Sequence, residues 1–255
     1  MRILFLVIVF FASTLGVAHS RPVTPPPSEV EKQAEPQWEF GVGAFGGVIG
    51  SFMLEPSEKN KLFTFMGAIV DVPYSGFGGV GGGGGITASA LYKGVIGLEV
   101  QLYKAEESVG GHLDIGGTRH KITLNKSVWH LPLLLKLAAP TRGVRPFLFG
   151  GFDFVFSGDA EIDTTLTPSG ALGDAYTAAN FGLGFDFILP IDGQDIRIPL
   201  MLRGSRNFGL GESVEDLMDL DNCRLQGRGL VCGNIYRTAW HWQAFVSLGV
   251  SYHFE

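Results

Sequence analysis

The last part of the chain, from Thr238 to Phe254, alternates between bulky apolar residues and small or polar ones. The apolar parity holds Trp240, Trp242, Ala244, Val246, Leu248, Val250, Tyr252 and Phe254, and the other holds His241, Gln243, Ser247, Gly249, Ser251 and His253, with Phe245 as a bulky exception. A period of two predicts one β-strand with an oily face and a polar face. The strand is long enough to cross a bilayer with tilt.

Seven earlier stretches repeat this alternation. They lie at about Trp38–Ser51, Ile86–Tyr92, Ile96–Tyr103, Trp129–Leu137, Pro146–Phe156, Phe181–Leu189 and Arg197–Ser205. The glycine-rich tract Ser75–Gly85 precedes the second stretch and is interpreted as a flexible surface loop. It formally contains G-x-G-x-x-G, but the strand, helix and acidic residue that a dinucleotide site needs around it are not evident.

The connections between these strands predict the topology. They are short after strands two, four and six, whereas those after strands one, three, five and seven are each about twenty residues or longer. This pattern predicts an all-β fold, an eight-stranded antiparallel up-and-down transmembrane barrel with short periplasmic turns and long outer loops. Leu62–Val72 is apolar enough for a ninth strand, but it is placed in the first outer loop because an odd count would spoil the pattern.

The N-terminal segments differ from the barrel. Residues 1–20 are typical of a cleaved signal peptide, with Arg2, an apolar run and a small-residue cleavage site. Residues 21–36 are rich in proline and charge and predict a disordered spacer, so residues 37–255 form the expected barrel domain. The net charge of −6 disfavours nucleic acid as a partner.

Cys223 and Cys232 are the only cysteines. In an exported protein this pair predicts a disulfide that closes a short loop. A metal site is the less favoured alternative, because the two thiols have no neighbouring His or third Cys. No cofactor, metal ligand or catalytic residue is assigned.

The polar residues at the inward-facing positions of the predicted strands are the candidates for chemical function. They include Glu99, Gln101, His130, Lys136, Asp153, Asp186, Arg197, Arg203, His241, Gln243 and His253. Side chains nearly fill an eight-stranded interior, so these groups are expected to pair with one another. Asp186 and Arg197 flank one short turn and are predicted to form an ion pair across strands six and seven.

Three alternatives to a filled interior are open: a narrow channel, a lipid-modifying enzyme and a soluble carrier. Ser205 and His241, on adjacent predicted strands, are the pair that a hydrolase would use. A soluble carrier would need the inverse polarity, with apolar residues inside.

Aromatic residues at the strand ends support membrane insertion. Trp38, Tyr252 and Phe254 are predicted to form a periplasmic girdle. An outer girdle is predicted from Trp129, Trp240 and Trp242, which begin the descending strands.

Three segments carry a family resemblance: VIGLEVQLYKAEE, WHLPLLLKLAAPTRGVRPFLFGGFDF and IPLMLRGSRNFGL. They resemble the outer-membrane β-barrel domain family of small OmpA-like and PorT-like barrels. The resemblance covers about residues 38–254 and implies a fold and a location in the bacterial outer membrane, but no reaction. The expected partners are outer-membrane lipid, the barrel-assembly machinery through the C-terminal strand, and an unknown extracellular ligand of the outer loops. The expected role is structural or surface interaction, as a monomer.

Overall fold

The described part of the chain begins at the first predicted strand. The computed structural model describes residues 38–54, 62–65, 68–71, 74–115, 118–141, 143–164, 175–191, 194–209, 223–226, 229–232 and 240–254. The predicted signal peptide and spacer lie outside these residues. In the described residues no helix is long and apolar enough to cross a membrane.

Twelve strands account for most of the described residues. They are β1 (Trp38–Met53), β2 (Leu62–Phe65), β3 (Ala68–Asp71), β4 (Tyr74–Tyr92), β5 (Ile96–Ile115), β6 (Thr118–Ala138), β7 (Val144–Thr164), β8 (Tyr176–Ile191), β9 (Gln194–Asn207), β10 (Cys223–Gln226), β11 (Gly229–Cys232) and β12 (Trp242–Phe254). Eight of them close into a barrel in the order β1-β12-β9-β8-β7-β6-β5-β4, with antiparallel neighbours throughout. The predicted eight-stranded antiparallel barrel is therefore confirmed.

Two small hairpins are separate from the barrel sheet. The segment Leu62–Val72, left out of the strand count above, contains β2 and β3, which pair only with each other. Strands β10 and β11 form the second hairpin, in the connection between β9 and β12. The barrel wall thus keeps an even number of strands.

The alternation of side chains decides which face of each strand is exposed. Along β12 every second residue is buried, and the residues between them are exposed. The same alternation on the other barrel strands leaves a continuous apolar outer surface that includes Leu98, Leu133, Phe152, Leu202 and Val250. The inner surface carries most of the buried charged side chains. The barrel is consequently apolar outside and polar inside.

The glycine-rich tract belongs to the wall, so its interpretation as a flexible loop is wrong. It forms the first part of β4, which pairs with β1 through Gly79–Gly85. A β-carbon at Gly81 would lie 1.8 Å from the carbonyl oxygen of Glu106, and one at Gly79 would lie 1.8 Å from that of Ser108. The backbone of β5 approaches β4 too closely for any larger residue, so glycine here permits the packing of two strands.

Most barrel strands are longer than predicted, and one connection that was predicted to be long is short. The connection after strand three was predicted to be long, but β5 continues to Ile115 and β6 starts at Thr118. The connection after β7 is also shorter than predicted, because β7 extends to Thr164 and leaves residues 165–175 before β8. Glycine and polar residues fill these extensions, which hides the alternation of bulky groups. The short connections predicted after strands two, four and six follow β4, β6 and β8, whereas connections of the predicted length follow only β1 and β9 among the other four.

Candidate functional site

Charged and polar side chains lie in layers along the interior of the barrel. At the short-turn end, Glu39 of β1 accepts a hydrogen bond of 2.5 Å from Arg197 of β9 and one of 3.3 Å from Arg145 of β7. His253 Nδ1 lies 3.0 Å from the same carboxylate, and Arg197 also binds Asp195. Four strands of the ring therefore meet on one carboxylate.

The next layer surrounds a buried lysine. Lys136 Nζ lies 3.2 Å from Asp186 and 3.4 Å from Glu99, and it sits 3.8 Å from the centre of the Phe147 ring. Glu99 also accepts a hydrogen bond of 2.6 Å from Gln101 Nε2. Each charge here has an opposite charge within reach, as buried ions require. A cavity of about 20 Å³ beside this layer is large enough for a single water molecule.

Halfway along the bore, Arg203 reaches from one wall to the other. Its guanidinium donates to Tyr103 Oη at 2.5 Å and to Gln101 Oε1 at 3.1 Å. Arg203 lies on β9 and Tyr103 on β5, which are on opposite sides of the eight-stranded ring. The Tyr103 ring stacks on Phe245 at 5.6 Å and on His130 at 4.4 Å. This layer places stacked aromatic rings and a guanidinium across the middle of the bore.

The layer toward the long connections is built around Glu107. His130 Nδ1 lies 2.8 Å from Asp153, and its Nε2 lies 3.3 Å from Glu107. Trp240 Nε1 donates to Glu107 at 3.1 Å, and Gln243 Nε2 donates to it at 2.6 Å. Sequence reasoning missed Glu107 because the predicted third strand ended before it. Continuing the inward parity of Glu99, Gln101 and Tyr103 would have found it.

All eleven polar residues predicted to face the interior are buried. These are Glu99, Gln101, His130, Lys136, Asp153, Asp186, Arg197, Arg203, His241, Gln243 and His253. The predicted pair of Asp186 and Arg197 is replaced by other partners, because Asp186 lies opposite Pro199 in the register. Asp186 binds Lys136, while Arg197 binds Glu39 and Asp195.

Trp240 differs from its predicted position in an outer girdle. Its side chain is 0% exposed, and it points into the bore toward Glu107. Trp129 and Trp242 do face outward, with exposures of 47% and 39%. At the other end Trp38, Tyr252 and Phe254 are also exposed. The Phe254 ring stacks there on Phe40 at 6.0 Å.

The two residues considered for a hydrolase have other hydrogen-bond partners. Ser205 Oγ donates to Asn180 Oδ1 at 2.5 Å. His241 Nδ1 accepts from the backbone N–H of Leu54 at 3.0 Å. In this arrangement the hydroxyl and the imidazole each serve to join neighbouring elements. Within the described residues, no group of three or more His, Cys, Asp and Glu side chains is arranged to hold a metal ion.

The polarity of the wall identifies the kind of barrel. A soluble barrel keeps apolar residues inside, whereas here Leu98 is 64% exposed while Arg197 is 2% exposed. On β6 the exposed apolar residues run from Trp129 to Leu137, which at roughly 3.4 Å per residue is about 30 Å of strand. With the usual tilt, this length matches the apolar band of such barrels, about 25 Å tall. The fold is that of an outer-membrane β-barrel.

Solved structures of other outer-membrane barrels are similar to this one. The N-terminal β-barrel domain of Pseudomonas aeruginosa OprF is 12% identical, with 86% of this chain and 100% of that chain covered and a TM-score of 0.35. OprG from Pseudomonas aeruginosa is also 12% identical, with coverages of 86% and 97% and a TM-score of 0.44. Ail, the attachment invasion locus protein of Yersinia pestis, is 10% identical, with coverages of 84% and 99% and a TM-score of 0.34.

The sequence comparisons with known proteins give a different result. No family model and no curated protein matches this outer-membrane barrel.

Proposed function

We propose that the chain is a bacterial outer-membrane protein with a closed bore and a structural or surface-interaction role. The barrel anchors the chain in the bilayer, and the connections after β1 and β9, with their β2–β3 and β10–β11 hairpins, face the exterior. An extracellular ligand of these connections is part of the proposal, as is recognition of the closing strand β12 by the barrel-assembly machinery. The barrel acts as a monomer.

The contact between Arg203 and Tyr103 carries the proposal of a closed bore. It joins opposite strands of the ring through buried side chains. On either side of it lie the Lys136 and Glu107 layers, whose charges are paired with those of nearby strands inside the barrel. An ion passing through would have to displace all three layers. A polar interior is also what a narrow channel would have, so conductance is the measurement that separates the two functions.

Planar-bilayer recordings test the closed bore. We expect the wild-type protein to be electrically silent and Arg203→Ala to show small, reproducible current steps, because the substitution removes the side chain that spans the bore. Arg206→Ala is the matched control, since Arg206 lies on the same strand and its guanidinium sits outside, 5.1 Å from the Trp242 ring. Reproducible steps from the wild type would favour a channel instead. Recovery of the chain in the soluble periplasmic fraction would contradict the location.

A further inference from the structure

The outer surface changes from apolar to polar at one level across three strands. Lys104, Trp129 and Phe156 form one row, because Lys104 pairs with Trp129 and Trp129 with Phe156. Toward the short turns the exposed side chains are apolar, as at Leu102, Leu133 and Phe154. Beyond the row Glu106 and Asn125 are exposed and Ser127 is half-buried, while Val80 on the neighbouring strand β4 is an exposed apolar residue. This row therefore marks the level where hydrocarbon gives way to lipid headgroups.

A groove of about 420 Å³ lies directly beyond that row. Its outward-facing lining is polar except for Val80 and Gly82 of β4. The polar residues are Glu106 and Ser108 of β5, Asn125 and Ser127 of β6, and Glu161 of β7. The groove follows a second row of paired residues on neighbouring strands, since Ser108 pairs with Asn125 and Asn125 with Glu161. It is thus a feature of the outer wall and spans four adjacent strands.

The groove reaches past the outer face of the wall. The register of β4 on β5 is the same at Gly78–Gly110 and at Gly82–Glu106, so the two strands run past the groove without a bulge. The inward-facing residues Gly81, Glu107 and Lys126 also line the groove, so it extends into the thickness of the wall. Gly82 contributes no side chain on the outer face, which leaves space beside the exposed carboxylates.

The polar atoms of the lining favour a ligand rich in hydrogen-bond donors. Ionised carboxylates such as those of Glu106 and Glu161 can only accept hydrogen bonds, whereas the Asn125 amide and the Ser108 hydroxyl can both donate and accept. The ammonium group of Lys126 lies over the Tyr176 ring, 5.3 Å from its centre, and so is directed toward the bore. Two exposed carboxylates therefore disfavour an anionic group, and an array of hydroxyls matches the acceptors and donors present.

From this position and chemistry, we propose that the groove binds the saccharide headgroup of a glycolipid in the outer leaflet. The sugar hydroxyls bind Glu106, Asn125 and Glu161. The acyl chains lie along the apolar wall on the membrane side of Trp129. The site is independent of whether the bore conducts ions.

Lipid retention in nanodiscs tests the site with the full-length protein. The discs contain phosphatidylcholine with an equal fraction of digalactosyldiacylglycerol, phosphatidylethanolamine or phosphatidylglycerol, and native mass spectrometry counts the lipids that stay bound. We expect selective retention of the galactolipid, and about a tenfold loss of that retention in Asn125→Ala and Glu161→Gln, about 1.4 kcal/mol. Equal retention of the three lipids would overturn the site. Preferential retention of phosphatidylethanolamine would overturn the saccharide assignment in favour of an amine.

A pair of glycine substitutions separates blocking of the groove from damage to the wall. Gly82→Leu places a side chain in the groove, and a β-carbon there meets its nearest atom, the Gly47 carbonyl oxygen, at 3.5 Å. Gly46→Leu is the control, because Gly46 also faces outward, has 3.7 Å of clearance and lies outside the groove. We expect Gly82→Leu to abolish selective retention and Gly46→Leu to keep it, with both variants migrating as folded barrels in unheated gels. Wild-type retention in Gly82→Leu would contradict the proposal.

Discussion

Strands β4 and β6 belong to one barrel wall but are built in opposite ways. β6 places leucines on the outer face and Lys126, His130, Leu134 and Lys136 on the inner face. The first part of β4 places glycine at nearly every position of both faces. β6 directs large side chains into the bore. The glycines of β4 direct none there and allow the backbones of the neighbouring strands to approach closely. The wall is therefore not uniform, and only some of its strands contribute large side chains to the interior.

This difference explains why glycine in a strand has more than one meaning. At Gly79 and Gly81 the neighbouring backbone excludes any β-carbon. At Gly82, on the other face, there is room for one. Adjacent glycines of β4 thus have different roles, one permitting strand packing and the other leaving an open groove.

The largest expected effect on stability comes from changing an inward-facing side chain of β6. Lys136→Met should lower the free energy of unfolding by about 3–5 kcal/mol, because Glu99 and Asp186 would remain buried without their cation. Urea titration of the protein folded into lipid vesicles measures this loss. Lys104→Met is the control, since Lys104 is exposed on the outer face of β5. Equal stability of the two variants would mean that β6 does not support the barrel through this lysine.

A smaller loss of stability is expected from adding one side-chain carbon to β4. Gly81→Ala should cost about 1–3 kcal/mol, because the new β-carbon collides with the Glu106 carbonyl and the backbone must shift. Gly82→Ala provides the comparison and should cost much less, as its β-carbon has 3.5 Å of clearance. The same urea titration measures both variants. If the two were equally stable, the close approach of β4 and β5 would not be what requires glycine.

The smallest effect on barrel stability is expected from a change in the β10–β11 hairpin, which lies outside the barrel sheet that contains β4 and β6. Cys223 lies directly opposite Cys232 in the register, and opposed residues of antiparallel strands have Cα separations within the disulfide range. We expect no thiol labelling of the native protein until it is reduced. Cys223→Ser should free Cys232 for labelling and change barrel stability by less than about 0.5 kcal/mol. Labelling without reduction would refute the disulfide.

Alternation of bulky residues was enough to predict all eight barrel strands and most of their inward residues. It failed at the start of β4, since a strand of glycines has no alternation to detect. It also ended β5 too early, because Ala105, Ser108 and Gly110 weaken the pattern there. Glu107, a centre of the interior network, was lost with that extension.

The partners of the buried charges could not be predicted from neighbouring strands alone. The register places Ile188 opposite Arg197, two residues from the Asp186 partner that the short turn suggested. Arg197 instead reaches Glu39 on β1, which barrel closure brings near. Contacts across a closed ring depend on strand tilt and stagger, and one sequence does not state either of them.

The pairing of β1 with β12 has a consequence for how the barrel is made. Glu39 and His253 are in contact at a separation of 214 residues, near the largest that the described residues allow. Loops of this length are slow to close, and the ring cannot close before β12 has been made. Until then β1 presents an open edge of unpaired backbone groups, which invites pairing with other chains. The interval during assembly before β12 pairs with β1 is therefore when this protein is most exposed to aggregation.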